Sequence, residues 1–92
     1  MKNRSRSDIL TMMLESTRAG STKTKIMYTA YLSYSQLMEY LPFLQKNDLI
    51  TYEKGTQIYR VTEKGLKFLS MSHDLDDMMI SATDSKYLLS SY

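Results

Sequence analysis

The chain has 92 residues, a formal net charge of +2 and 42% hydrophobic content, which fits one small folded domain with no room for a second core and too apolar for disorder. Cysteine is absent, so disulfides and thiolate metal sites are excluded and a reducing compartment is suited. No apolar run approaches the ~20 residues of a membrane span, and the basic N-terminus lacks the apolar stretch of a signal peptide, so a soluble intracellular protein is expected.

In chain order, residues 1–6 read as a basic arm carrying Lys2, Arg4 and Arg6. A first helix is expected from about Ser7, with Ile9, Leu10, Met13 and Leu14 at helical spacing. Asp8 falls in its first turn and Arg18 in its last, and Gly20 suits a left-handed residue after its end. Ser21 or Thr22 caps a short second helix running to about Ala30. Ser33 and Gln36 form a capping box for a third helix, in which Leu37, Leu41 and Leu44 make one buried stripe. Ser35, Glu39, Pro42 and Lys46 then point outward, and Asn47-Asp48 stops the helix. Pro42 removes a backbone bond at a cost of ~3 kcal/mol; a kink or a 3₁₀ segment is one outcome, but Leu44 continues the stripe and one helix is expected.

Leu49 to Val61 reads strand, turn, strand. With Lys54-Gly55 as a two-residue loop and Gly55 at positive φ, Ile50 pairs with Tyr59 and Tyr52 with Gln57. Ile50, Tyr52, Tyr59 and Val61 then share the inward face. Thr62 caps a last helix, in which Gly65 implies close backbone packing. Phe68, Met71, Leu75, Met78 and Ala82 repeat at alternating spacings of three and four, the outline of a coiled-coil seam. That helix either ends near Ile80 or restarts at Lys86. The expected fold class is α+β, mostly α: a winged helix-turn-helix of three helices and a hairpin wing, with a C-terminal dimerisation helix. Its parts are the arm (1–6), the winged domain (7–67) and the dimerisation helix and tail (68–92).

Three strings, Thr22-Lys23-Thr24-Lys25-Ile26-Met27-Tyr28, Leu32-Ser33-Tyr34-Ser35-Gln36-Leu37 and Thr62-Glu63-Lys64-Gly65-Leu66-Lys67-Phe68-Leu69, together resemble the archaeal winged-helix family of small transcriptional regulators. That family includes the 10a-type DNA-binding proteins, dimers joined by an antiparallel C-terminal coiled coil. The resemblance covers roughly residues 7–75 and implies DNA binding and self-association through the last helix. Pro42, in the third helix, and the short serine-rich stretch after Met79 depart from the family pattern.

Charge is divided along the chain. Residues 1–67 hold eleven Lys or Arg against six acids, a net +5, whereas residues 68–92 hold one Lys against four Asp, a net −3. A basic half facing a polyanion and an acidic tail facing away from it are expected. Double-stranded DNA is the expected partner, together with a second copy of the chain. Lys23, Lys25, Tyr34, Lys46, Lys54, Thr56 and Arg60 are the candidates for the DNA backbone, and Ser35, Gln36 and Glu39 for base edges. Phe68, Met71, Leu75, Met78 and Ala82 are the candidates for the dimer seam. Against this stands a plainer reading: the third helix's outer face is not basic and Glu39 repels phosphate, so a protein–protein module on the same fold is the alternative. Tyr28, Tyr31, Tyr40, Tyr52 and Tyr59 are expected to pack rather than stack on bases. His73 with Asp77 makes one i,i+4 pair, short of the three or four ligands of a metal site. No nucleophile–base constellation or glycine-rich phosphate loop appears, so neither catalysis, a cofactor nor a small-molecule ligand is expected. The expected location is cytoplasmic and nucleoid-associated.

Overall fold

The computed structural model describes residues 4–74. Their order is α1 (Arg6–Ser16), α2 (Lys23–Thr29), α3 (Tyr34–Lys46), β1 (Ile50–Glu53) and β2 (Ile58–Val61), followed by α4 over residues 63–74. Lys2, Leu75, Asp77, Met78 and Ala82 lie outside the described residues.

Each helix begins where a side-chain oxygen satisfies an orphan N–H. Ser5 Oγ accepts from the Asp8 amide at 3.0 Å while Asp8 accepts from the Ser5 amide at 3.1 Å. This capping box starts α1 at Arg6, one residue before the expected Ser7, so Arg6 is helical and not part of a free arm. Thr22, rather than Ser21, caps α2. Ser33 and Gln36 form the box expected for α3, and Thr62 Oγ1 accepts from the Gly65 amide at 3.0 Å to cap α4.

The ends are as specific as the starts. α1 stops at its C-cap Thr17, so Arg18 lies beyond the helix and pairs with Glu15 at 3.1 Å. Gly20 does take a left-handed backbone, φ +89, but it closes the turn after Thr17 rather than the helix itself. A Cβ there would also press on Ile58 Cγ2 at 2.8 Å. α2 and α3 both end in Schellman motifs: Leu32 N–H reaches Met27 O at 2.9 Å, and Leu49 N–H reaches Leu44 O at 2.9 Å. The left-handed residues are Tyr31 (φ +55) and Asp48 (φ +58), neither of them glycine. α3 runs as one helix through Pro42, which stands on its exposed side.

The core joins Ile9, Leu10, Met13 and Leu14 of α1 to Ile26 of α2, Leu37, Leu41 and Leu44 of α3, Ile50 and Tyr59 of the hairpin and Leu69 of α4. α3 therefore spends its whole leucine stripe inside, each leucine at most 3% exposed. α4 lies along α1, with Thr11 and Ser72 hydroxyls 3.3 Å apart and His73 Nε2 3.3 Å from Glu15 Oε1.

The hairpin differs from expectation in register. Ile50 pairs with Val61, Tyr52 with Tyr59 and Glu53 with Ile58, leaving Lys54 to Gln57 as a four-residue turn. Gln57 (φ +59), not Gly55, supplies the positive φ. The slip is two residues, so the same side chains still share a face. The turn is set by what the strands must reach. Tyr59 exchanges backbone bonds with Ser21 at 2.8 and 2.9 Å, a single-residue third strand beside β2. At Gly65 an added Cβ would collide with Leu49 O and Val61 Cγ2, so α4 crosses the hairpin's base at glycine contact distance.

Candidate nucleic-acid interface

α2 (Lys23–Thr29), a four-residue turn and α3 form a helix-turn-helix, and β1–β2 follow as a wing. With its leucine stripe buried, α3 leaves Tyr34, Ser35, Met38, Glu39, Phe43 and Lys46 exposed. Lys23 and Lys25 are exposed at the start of α2, and Lys54 and Thr56 on the wing turn.

Four of the candidates have partners within the chain. Gln36 Oε1 accepts the Ser33 amide at 3.0 Å, so its carbonyl oxygen is in use while its Nε2 keeps two N–H donors. Glu39 lies 3.8 Å from Arg6, whose guanidinium also sits 5.9 Å from the Tyr40 ring centroid; the acid that would repel phosphate is offset by a cation from α1. Arg60 donates to Glu53 at 2.8 Å and to Ala19 O at 3.2 Å, and the Thr56 hydroxyl donates to Glu53 at 3.0 Å. The Arg60 hydrogen bond, then that of Thr56, holds the Glu53 carboxyl below the usual carboxylate range. In the expected register Arg60 and Glu53 would not be diagonal neighbours; in the observed one they are. Tyr59's phenol is pushed up by burial, then by the neighbouring Tyr52, whose ring centroid lies 4.7 Å away.

Arg4 is the residue the sequence hid. Its guanidinium donates to Ala30 O and, at 2.5 Å, to Tyr31 O. It thereby holds the carbonyls of the helix-turn-helix bend from a point 26 residues earlier, where an arm free to meet phosphate was expected. Nothing in local pattern signals such a contact. Tyr28 and Tyr31, expected to pack, are 71% and 77% exposed, and Tyr52 is 40% exposed. Tyr28 and Tyr31 follow the solvent side of α2 and its C-terminal turn, Tyr52 stands on β1, and the core is already filled largely by aliphatic residues. In the segment expected to self-associate, Phe68 packs against this chain's own core and Met71 is 70% exposed. Among the described residues no three His, Asp or Glu side chains gather as a metal site, and no described helix is long and apolar enough to cross a membrane.

A helix-turn-helix with its third helix laid bare and a two-stranded wing behind it defines the winged helix-turn-helix class. The sequence profile of that family, described as "Winged helix-turn-helix", matches residues 3–80, and the chain belongs to it. Among solved structures, the fold is similar to that of Sso10a-2, described as a DNA-binding protein from Sulfolobus solfataricus (TM-score 0.82, 23% identity, 96% of this chain and 95% of that one). It is also similar to ZitR of Lactococcus lactis, solved in complex with DNA (TM-score 0.63, 18% identity, 92% of this chain and 62% of that one) and without it (TM-score 0.62, 17% identity). No curated protein matches the sequence.

Proposed function

We propose that this chain binds double-stranded DNA as a homodimer and acts as a transcriptional regulator or an architectural protein. The observation that carries the reading is α3: one face is consumed by the core and the other stands exposed beside a wing, the geometry with which such helices enter a major groove. The likeness in fold to proteins described as DNA-binding supports it. Lys23, Lys25, Tyr34, Lys46 and Lys54 hold the backbone, with Thr56 and Arg60 on the wing beside them. Ser35, Gln36 and Glu39 sample base edges. The mechanism is equilibrium binding, with no bond made or broken, in a nucleoid-associated place in the cytoplasm.

Duplex binding followed against salt tests this directly. The logarithm of the binding constant should fall linearly with that of the salt concentration, by ~0.9 per phosphate neutralised. Absence of duplex binding at low salt contradicts the proposal. One observation favours a second reading, a protein–protein module: Met38 and Phe43 on α3 are 41% and 44% exposed, apolar area that a protein surface would cover and a phosphate would not.

Self-association is assigned to the seam of Met71, Leu75, Met78 and Ala82 beginning at Phe68. Truncation after Ser70 keeps the buried Leu69 and should leave a folded monomer in sedimentation equilibrium. A truncated chain that still dimerises refutes the seam.

A further inference from the structure

An open cleft of about 290 Å³ lies between the start of α2 and the wing, lined by Thr22, Lys23, Thr24, Tyr52, Gln57 and Tyr59. Every one of these side chains carries a hydrogen-bond donor and none carries a carboxylate. The Thr22 hydroxyl accepts from the Lys25 amide at 3.2 Å, leaving its own hydrogen to donate. The Tyr59 phenol is protonated at neutral pH, and burial pushes its pKa further up. The wing's carboxylate, Glu53, alternates to the opposite strand face from Tyr52 and is occupied there by Arg60 and Thr56.

Gln57 supplies a second, independent observation. It is held at φ +59 in the wing turn, a conformation that glycine adopts more readily, although Gly55 is two residues away and carries no positive φ. A non-glycine residue kept in a strained backbone directs attention to its side chain, and that side chain lines the cleft.

Building on the DNA-binding reading, we propose that this cleft is a seat for one phosphodiester of the duplex backbone, held by the Lys23 ammonium, the Gln57 amide and the surrounding hydroxyls. The single cation matches the single negative charge of a phosphodiester. Neutral donors on several sides match its unesterified oxygens. The openness suits a strand that enters and leaves, not an enclosed small ligand. The seat is made by side chains from three segments; α2, with seven residues, contributes no helix-end field to it. It ties the wing to the helix-turn-helix through the DNA backbone, beside the Ser21–Tyr59 bridge that already joins them.

The test compares wild type, Lys23→Gln and Gln57→Gly on a short mixed-sequence duplex. Lys23→Gln should lower the salt slope by ~0.9. Gln57→Gly should weaken binding by roughly threefold to tenfold while its Tm stays at or above that of wild type, because glycine accepts the left-handed backbone more easily. Wild-type binding with both variants unchanged in affinity and slope overturns the seat alone. A Gln57→Gly chain whose affinity falls only together with its Tm also overturns it, since the residue would then be structural. Failure of wild type to bind any duplex at low salt overturns the DNA-binding reading itself.

Discussion

α3 and the wing are both presented to solvent, but they are held there by different means and carry different chemistry. α3 is fixed from below by three leucines at most 3% exposed and is capped at both ends. Its outer surface is nearly neutral, with Glu39 offset by Arg6 and Lys46 at its last position. The wing has two strands of four residues, too little to stand alone. It is fastened by the Ser21–Tyr59 bridge, the Gly65 contact and the Glu53–Arg60 pair. The difference separates two jobs. A rigid, weakly charged helix is suited to discriminating shapes and base edges, whereas a light, cation-bearing hairpin is suited to gripping phosphate without regard to sequence.

The largest expected effect removes the support of α3. Leu44→Ala should cost about 2–5 kcal/mol in urea unfolding, as a fully buried leucine leaves a cavity. Loss of well under that range would mean α3 is not anchored by its stripe. Gly65→Ala comes next, at about 1–3 kcal/mol, because the new methyl must push on Leu49 O and Val61. Hydrogen exchange should then quicken in β1 and β2 more than in α3, and equal quickening in both would show that the wing is not separately fastened. Smaller still is the Arg6–Glu39 pair, whose exposed members are worth at most about 1 kcal/mol. Arg6→Ala should weaken duplex binding in wild type but much less in a Glu39→Gln background, since screening matters only while the carboxylate is there. An equal loss in both backgrounds would make Arg6 a direct phosphate contact.

The smallest effect is in pH. Glu53's carboxyl is lowered in the folded chain, so its contribution is present above the ordinary carboxylate pKa of ~4.3 and is lost as pH falls through the lowered value. Wing resonances in NMR should hold steady from neutrality down through the mildly acid range and shift only at pH below the ordinary carboxylate range. A shift near neutrality would point to a different titrating group.

The sequence made the helices legible because their signals are local. Ser33 with Gln36, the leucine stripe and Thr62 each state a start or a face within a few residues, and all are found. The start of α1 is written in the same way, by Ser5 and Asp8, but the apolar spacing that begins at Ile9 does not reach back to it. The hairpin register was not legible. Glycine is the easy residue at positive φ, and Lys54-Gly55 invited a tight turn. The observed pairing instead leaves a four-residue turn, β2 also pairs with distant Ser21, and the positive φ falls on Gln57. The role of Arg4 is hidden for a similar reason: its partners, Ala30 and Tyr31, become neighbours only when α1 packs on α2. In the candidate interface, the identity of the outward residues on α3 and the local Ser33–Gln36 capping box follow from the sequence pattern, while the intramolecular partners of Glu39 and Arg60 depend on the tertiary arrangement.

The central claim, that the wing supplies affinity and α3 supplies preference, is tested most directly by binding Lys54→Glu and Gln36→Ala to a randomised duplex pool beside wild type. Gln36→Ala also removes half of a capping box, but a change in folded fraction scales all sequences alike and leaves their ranking untouched. The account predicts that Lys54→Glu weakens every sequence by a similar factor and that Gln36→Ala reorders the preferred sequences. A uniform loss from both variants, with the ranking preserved, would contradict it.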